Sequence, residues 1–590
     1  MRETYVERRI TGWLWRATGL LRCPLRMTLG WLVLCAAASW GRWVCAAEYQ
    51  WSVEVVGAKS PETQESPRAY LWIPPSCGRL SGVVVAQHNL LEVALFKHAG
   101  FRNAMERSAF GLLWVTPPVP VSFEGGEEDM VGIEGALREL GSLSGYAELA
   151  MVPVVALGHS AQGDFPYRFA VHRPSRCLAG ISLKGSWPDR GQEPRQYWYE
   201  AFGRSEVPVL FVSGEYEWAD ERAGRALAFR NEFPDAPFSM LADVGAGHFD
   251  LHDRLAERLG SYVASAVRWR GGAPLKPVFA SESGWLIDRW RSDKAPRAAA
   301  AEVSAFSGDR AQTFWCFDEA EARATEEYQG RHQWKVPQLV GYRQAGVLVP
   351  QVRGTHQQVT LGWLPERALD GLVFRLEGAF LTEVPAGRPE RWTRLREGEA
   401  IGHAADVEGI RITSLCGPVE SIGGGLFTLR FDRVGWNNLK RSGDVWLQAE
   451  HPGDARYKRA VQQALMRVPV RNVSGAAQQI RFPEIPDASA MQTKSIRLLA
   501  ESDSGARVDY FIREGPARIE GDLLEILPIP VRAKYPVPVT VVAWQWGRST
   551  EPRLQSAPPV TRTFYITPGG LGFYHQTRSN LSGYVLPEAN

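Results

Sequence analysis

Three short stretches of this 590-residue chain carry residue types at spacings suited to chemistry. In Val154-Val-Ala-Leu-Gly158-His159-Ser160-Ala161-Gln162-Gly163 an apolar run reaches a glycine, a serine follows two residues later, and a helical pattern comes next. A sharp strand-to-helix turn of this kind lifts a serine hydroxyl clear of a sheet and aims a helix N-terminus at developing negative charge. Pro166 fits the first turn of such a helix. A serine hydroxyl is a weak nucleophile and needs a base beside it; the base in turn needs a carboxylate to hold its tautomer and stabilise its cation. Gly245-Ala-Gly-His248-Phe-Asp offers that base, a histidine in a glycine-rich loop between an apolar run and an amphipathic helical pattern, with His252 as the second candidate. The apolar run Val207–Ser213 leads into Gly214-Glu215-Tyr-Glu217-Trp-Ala-Asp220, which supplies three carboxylates. His248-x-Asp250-x-His252 has metal-ligand types, but no further histidine cluster and no Cys-x-x-Cys accompany it. The chemistry calls for no metal and no cofactor.

Positioning such groups takes a sheet. From Glu48 to about Arg270 short β-like runs alternate with helical patterns, the mark of an α/β sheet. The candidate strands are Gln50–Val56, Ala69–Ile73, Gly82–Gln87, Leu112–Thr116, Pro153–Leu157, Ala179–Leu183, Val207–Ser213 and Phe238–Val244. Val83-Val-Val-Ala86 and Val207-Pro-Val-Leu-Phe-Val212 are continuously apolar, as parallel strands buried on both faces are. Ile133, Leu137 and Leu140 repeat on one helical face, as do Leu251, Leu255, Leu259 and Val263. Gly271-Gly272-Ala-Pro274 breaks the pattern, and residues 273–335 form a mixed extension with a helix Glu319–Gln329 begun by Asp318. Residues 336–477 alternate strands with turns at Gln344-Ala-Gly346, Gly423-Gly-Gly425 and Arg441-Ser-Gly-Asp444, an all-β module. A second β segment covers 478–567, and 568–590 is a tail. Fold class is therefore α/β in residues 48–272 followed by all-β modules.

Over roughly residues 50 to 270 these motifs, in this order, resemble the α/β-hydrolases, nearest to extracellular esterases and depolymerase-like members. The resemblance implies a flanked α/β sheet and a Ser…acid…His order, with Ser160 as nucleophile and His248 as base. It places Glu217 at the acid position, since the strand before the acid often ends in G-x-x-D, with Asp220 as runner-up. It also implies an oxyanion hole made by the N–H of Ala161 and a second N–H after the third strand. There His88-Asn89-Leu90 stands where many relatives carry His-Gly, so Asn89 or Leu90 is the donor. The chain departs from the usual elbow at Gln162, where glycine gives packing room; its glycine comes one residue later, at 163. That spacing resembles the G-C-S-R-x-G elbow of glucuronoyl esterases, whose arginine is Ala161 here. The activity implied is carboxylic ester hydrolysis, on a polysaccharide- or plant-derived ester, with Trp187 and Trp218 as candidate pocket residues. An exported peptidase on the same residues, or a surface binding protein whose site has decayed at Gln162, are the alternatives. Separately, Ile496-Arg-Leu-Leu-Ala-Glu-Ser-Asp-Ser-Gly505, Glu514-Gly-Pro-Ala517, Ile519-Glu-Gly521, Pro538-Val-Thr-Val-Val-Ala-Trp-Gln545 and Thr563-Phe-Tyr-Ile566 resemble the immunoglobulin-like repeats of bacterial surface proteins. That second resemblance implies a sandwich and a spacer or adhesive role.

A net charge of +2 with interspersed signs gives no reason to expect a nucleic acid partner. Twenty-two tryptophans hint at sugar contact, although tryptophan is more often a core residue. Arg2, Arg8, Arg9, Arg16, Arg22 and Arg26, the apolar run Met27–Trp40 and the small residues Cys45-Ala-Ala47 before Glu48 read as a bacterial export signal over 1–47. Its removal predicts a secreted, periplasmic or cell-surface protein with no membrane span in the mature chain. It also leaves Cys77, Cys177, Cys316 and Cys416, enough for two disulfides in any of three pairings. All the candidate catalytic groups precede Gly271, so residues 48–335 are expected to hold the whole activity.

Overall fold

In the computed structural model the described residues are 48–120, 128–187, 195–272, 274–351, 358–366, 370–386, 393–431, 441 and 443–569. The proposed export signal and nearly all of the tail lie outside them. The candidate runs become the strands of one eight-stranded sheet: β1 (Trp51–Glu54), β2 (Arg68–Trp72), β3 (Gly82–Gln87), β4 (Phe110–Thr116), β5 (Val154–His159), β6 (Cys177–Leu183), β7 (Val209–Gly214) and β8 (Phe238–Asp243). Their spatial order is β1-β2-β4-β3-β5-β6-β7-β8. The pairs β1–β2 and β2–β4 are antiparallel, and all the others are parallel. Helices cross between parallel strands: α1 (Leu91–Lys97), α2 (Ala99–Arg107), α3 (Glu128–Ser144), α4 (Phe165–His172), α5 (Arg195–Gly203) and α6 (Ala219–Glu232); α7 (Asp253–Arg270) follows the last strand. Each of the eight strands expected from the sequence is present, with ends shifted by three residues or fewer.

Strand alternation explains why β3 is apolar from Val83 to Ala86. Val83 and Val85 face one core with Leu137 and Phe169, while Val84 and Ala86 face the other with Leu255 and Leu259. Helix α8 (Glu319–Gly330) starts as its sequence predicts, because the Asp318 side chain accepts from the N–H of Glu321 at 2.8 Å.

The C-terminal half is built of small β-sheets. One has four strands, Val359–Leu361, Ala460–Arg467, Asp444–His451 and Arg411–Cys416. Beyond residue 478 a four-stranded sheet joins Ala488–Ser489, Val560–Thr567, Val537–Trp544 and Asp509–Glu514, beside a three-stranded one. These sheets do not stand apart from the α/β part. Trp446 and Leu465 belong to the same buried cluster as Phe249 and Leu251, and Val539 and Phe564 to the cluster that holds Val83. Backbone bonds cross as well, from Gly515 N–H to Tyr49 O at 3.0 Å and from Lys534 N–H to Ser144 O at 2.9 Å. Cys77, Cys177, Cys316 and Cys416 are four separate buried thiols, so the disulfides that an even cysteine count allows are not formed. Among the described residues no helix is long and apolar enough to cross a membrane.

Candidate active site

Strand β5 ends at His159, and Ser160 takes φ +53°, the left-handed region that a non-glycine residue enters only when its surroundings hold it there. The turn is tight. A Cβ on Gly158 would fall 1.8 Å from the Gln162 carbonyl oxygen, and one on Gly163 would fall 2.6 Å from the Ser186 nitrogen. The room expected to be needed at position 162 is therefore needed at 163, and the displaced glycine sits where the backbones meet.

The half-buried Ser160 Oγ lies 2.6 Å from His248 Nε2, and His248 Nδ1 lies 2.5 Å from Glu217 Oε1. Glu217 ends a short 3-10 turn after β7 and accepts the Gly214 N–H through its other oxygen at 3.0 Å. Burial alone would raise its carboxyl; the facing His248 and Arg222, with Lys184 behind, outweigh that and bring it down to about 2. The rival acids go elsewhere. Asp220 pairs with Arg289 at 3.0 Å on the far side of Trp218, whose own φ of +65° turns the chain away. Glu215 accepts from Gly245 N–H at 2.9 Å and pairs with Lys458 at 3.2 Å. His252 faces Asp243 at 3.0 Å, not the serine. Asp243, Asp250 and His252 cluster closely enough to suggest metal ligands, but Lys184 Nζ lies 3.1 Å from Asp243 and 2.9 Å from Asp250 and supplies the positive charge itself.

The oxyanion donors fare unevenly. Ala161 is the second residue of the short helical turn Ser160–Gln162, where a first-turn N–H has no helical acceptor. The N–H groups of Asn89 and Leu90 are instead directed to the Glu92 carboxylate, at 3.2 and 2.9 Å. Glu92 also accepts the His159 N–H at 2.9 Å, so one buried carboxylate ties the loop after β3 to the residue before Ser160. An acid two to three residues past a chain turn is the spacing of a helix-start cap, which is the signal sequence reading passed over. The Asn89 side chain completes the tie. Its carbonyl accepts from Arg441 at 2.7 Å and its amide donates to His159 Nδ1 at 3.0 Å, leaving His159 Nε2–H to donate to the His248 carbonyl at 3.0 Å. Burial, then the neighbouring His248, hold the His159 ring well below its ordinary range, in keeping with this neutral form.

Burial outweighs those N–H donors at Glu92 and pushes its carboxyl up to about 7. The unfolded value is about 4.3, so over that interval the folded protein keeps a proton that the unfolded chain gives up. The group's contribution therefore favours the fold at the acid end and weakens as pH rises towards 7, by at most about 1.4 kcal/mol per unit. Glu92→Gln abolishes that slope, so its unfolding free energy relative to wild type should climb between pH 5 and 8. Paired urea titrations at several pH values would measure it, and a flat difference would remove Glu92 as a titrating group.

A cavity of about 200 Å³ opens at Ser160. His88, Asn89, Leu90 and Phe249 line it from the α/β part; Cys416, Gly417, Arg441, Asp444 and Trp446 line it from the β-rich part. Phe249 and Trp446 meet across it at 4.4 Å between ring centres. His88 is bonded to Thr116 at 3.2 Å and held neutral, with its ring brought down to about 3 by burial and then by Arg441. Trp187 and Trp218 are not among the cavity's lining residues. Trp187 packs on Phe211 with Arg222 and Arg225 over its face.

No protein-family model matches this chain, and no curated protein matches it in sequence. Several solved structures are similar to it. Est1E from Butyrivibrio proteoclasticus is 12% identical over 37% of this chain and 99% of its own, with a TM-score of 0.25. LpqC, a poly(3-hydroxybutyrate) depolymerase from Bordetella parapertussis, is 14% identical over 36% of this chain and 87% of its own, with a TM-score of 0.26. The esterase domain of a Rhodothermus marinus protein is 14% identical over 37% of this chain and 97% of its own, also at 0.26. The similar structures are esterases, depolymerases and serine hydrolases, and the shared part is little more than a third of this chain.

Proposed function

We propose that this protein is a serine hydrolase of the α/β-hydrolase type that cleaves carboxylic esters through an acyl-enzyme. The observation that carries the reading is the unbroken hydrogen-bond line from Ser160 Oγ through both nitrogens of His248 to a buried, ionised Glu217. Ser160 Oγ attacks the ester carbonyl carbon as His248 Nε2 takes its proton, and the carbonyl oxygen gathers negative charge against the Ala161 N–H. Collapse breaks the bond to the alkoxy oxygen, which leaves as the alcohol with the proton from His248. Water then repeats the attack on the acyl-Ser160 carbonyl, again deprotonated by His248, and releases the acid. Glu217 holds Nδ1–H throughout and stabilises the imidazolium. The apolar walls of Leu90, Phe249 and Trp446 suit the acyl or alcohol part of a polysaccharide- or plant-derived ester.

Of the alternatives, the decayed binding protein draws on Gln162 alone, and the close approach in this elbow falls at Gly163. A peptidase would use the same groups. A fluorophosphonate probe applied to the intact folded protein should label one residue, Ser160, and Ser160→Ala should abolish the label. A folded wild-type protein that stays unlabelled would overturn the reading.

A further inference from the structure

The loop that carries His248 has little stiffness of its own, with Gly245 at φ +72° and Gly247 on either side of Ala246. Both glycines press against the β-rich part. A Cβ on Gly245 would lie 2.7 Å from the Arg459 carbonyl oxygen, and one on Gly247 would lie 2.1 Å from the Gln463 amide nitrogen. Directional bonds then pin the loop from the same side. Arg459 Nη1 donates to Gly245 O at 2.9 Å and to Asp250 Oδ2 at 3.0 Å, while its Nη2 is anchored on Glu450 at 2.6 Å. Asp250 Oδ1 accepts the Gly247 N–H at 2.8 Å and faces Lys184 at 2.9 Å. Three residues past His248, Gln448 holds Leu251 by both backbone groups, accepting its N–H at 3.0 Å and donating to its carbonyl at 2.8 Å.

Resting on the reading of His248 as the base, we infer that Arg459 and Gln448 are positioning residues for it: they fix the backbone on both sides of His248 from the β-rich part. A buried ion pair is a poor source of stability, because desolvation offsets most of the attraction, and an apolar contact would seal the same interface. What these bonds add is direction. They hold Gly245, Gly247 and Leu251 and so set the position of the ring that must reach Ser160 and Glu217 together.

The test uses the full-length protein with p-nitrophenyl acetate as substrate and the fluorophosphonate probe as a second readout. Arg459→Met should lower kcat about 10²-fold with KM little changed, because a shift of about 1 Å in a catalytic group costs that much in rate and nothing in ground-state binding. Gln448→Leu, which strands no charge, should lower kcat in the same way by roughly tenfold, and Arg459→Lys should recover part of the loss by restoring the bond to Asp250. Labelling rates of Ser160 should fall in parallel while thermal unfolding stays cooperative. If Arg459→Met fails to fold, Gln448→Leu carries the comparison. Folded variants with wild-type kcat and labelling, or a loss wholly in KM, would overturn the positioning role alone. A wild-type protein that is neither active nor labelled would overturn the triad reading and this inference with it.

Discussion

Ser160→Ala and His248→Ala should each reduce ester hydrolysis by about 10⁴-fold or more, with the fold intact. The hydroxyl and the ring are joined at 2.6 Å and act as one device: without the ring the serine keeps its proton, and without the hydroxyl the ring has nothing to activate. Removing both should therefore cost little more than removing either. Glu217→Gln should also be severe, because an amide cannot stabilise the imidazolium that forms beside it. Asp220→Asn should be mild, since Asp220 is engaged with Arg289 at a half-exposed position. Steady-state kinetics on the four variants, each checked by thermal melt, would decide it. Ser160→Ala with wild-type turnover would end the hydrolase mechanism, and a mild Glu217→Gln beside a severe Asp220→Asn would move the acid.

What the sequence made legible was whatever is written locally. An all-apolar run such as Val83–Ala86 has few ways to fold other than as a strand covered on both faces, and it emerges with the seven other expected strands as one sheet. The glycine-serine spacing at 158–160 and the histidine in its glycine loop are local too, and the fold brings Ser160 and His248 together across 88 residues. Choosing among Glu215, Glu217 and Asp220 was harder, since all three lie within six residues: the turn at Trp218 sends Asp220 away, while Glu215 and Glu217 differ only by their places in one short helical turn. For the tryptophans the sequence left pocket and packing roles equally open, because a large ring finds burial in either, and Trp187 packs against Phe211 and two arginines. Groups that act from a distance left no periodic trace. Glu92 hides inside an ordinary helix start, and Arg459 and Gln448 sit about two hundred residues from the loop they hold.

A chain ending at residue 335 should lose the activity, contrary to the expectation that every needed group precedes Gly271. Ser160, Glu217 and His248 would survive the cut, but their surroundings would not. One wall of the cavity, from Cys416 through Trp446, would be gone, leaving Phe249 open to water. Asp250 would keep Lys184 and lose Arg459, Leu251 would lose both bonds to Gln448, and the glycines at 245 and 247 would have nothing pressing on them. On the opposite face, Glu514 would no longer meet Ser52, and the apolar surface now covered by Val539 and Phe564 would be exposed. Exposing so much apolar area at about 25 cal/mol per Å² threatens a domain whose whole margin is about 5–15 kcal/mol. Expression of residues 48–335, with a melting curve and an ester assay, should therefore return either no cooperative transition or a folded protein at least 10²-fold less active than the full chain. A cooperative fragment at full activity would show that the β-rich part only covers the site; an inert but folded one would show that the hydrolase is completed by residues far outside its sheet.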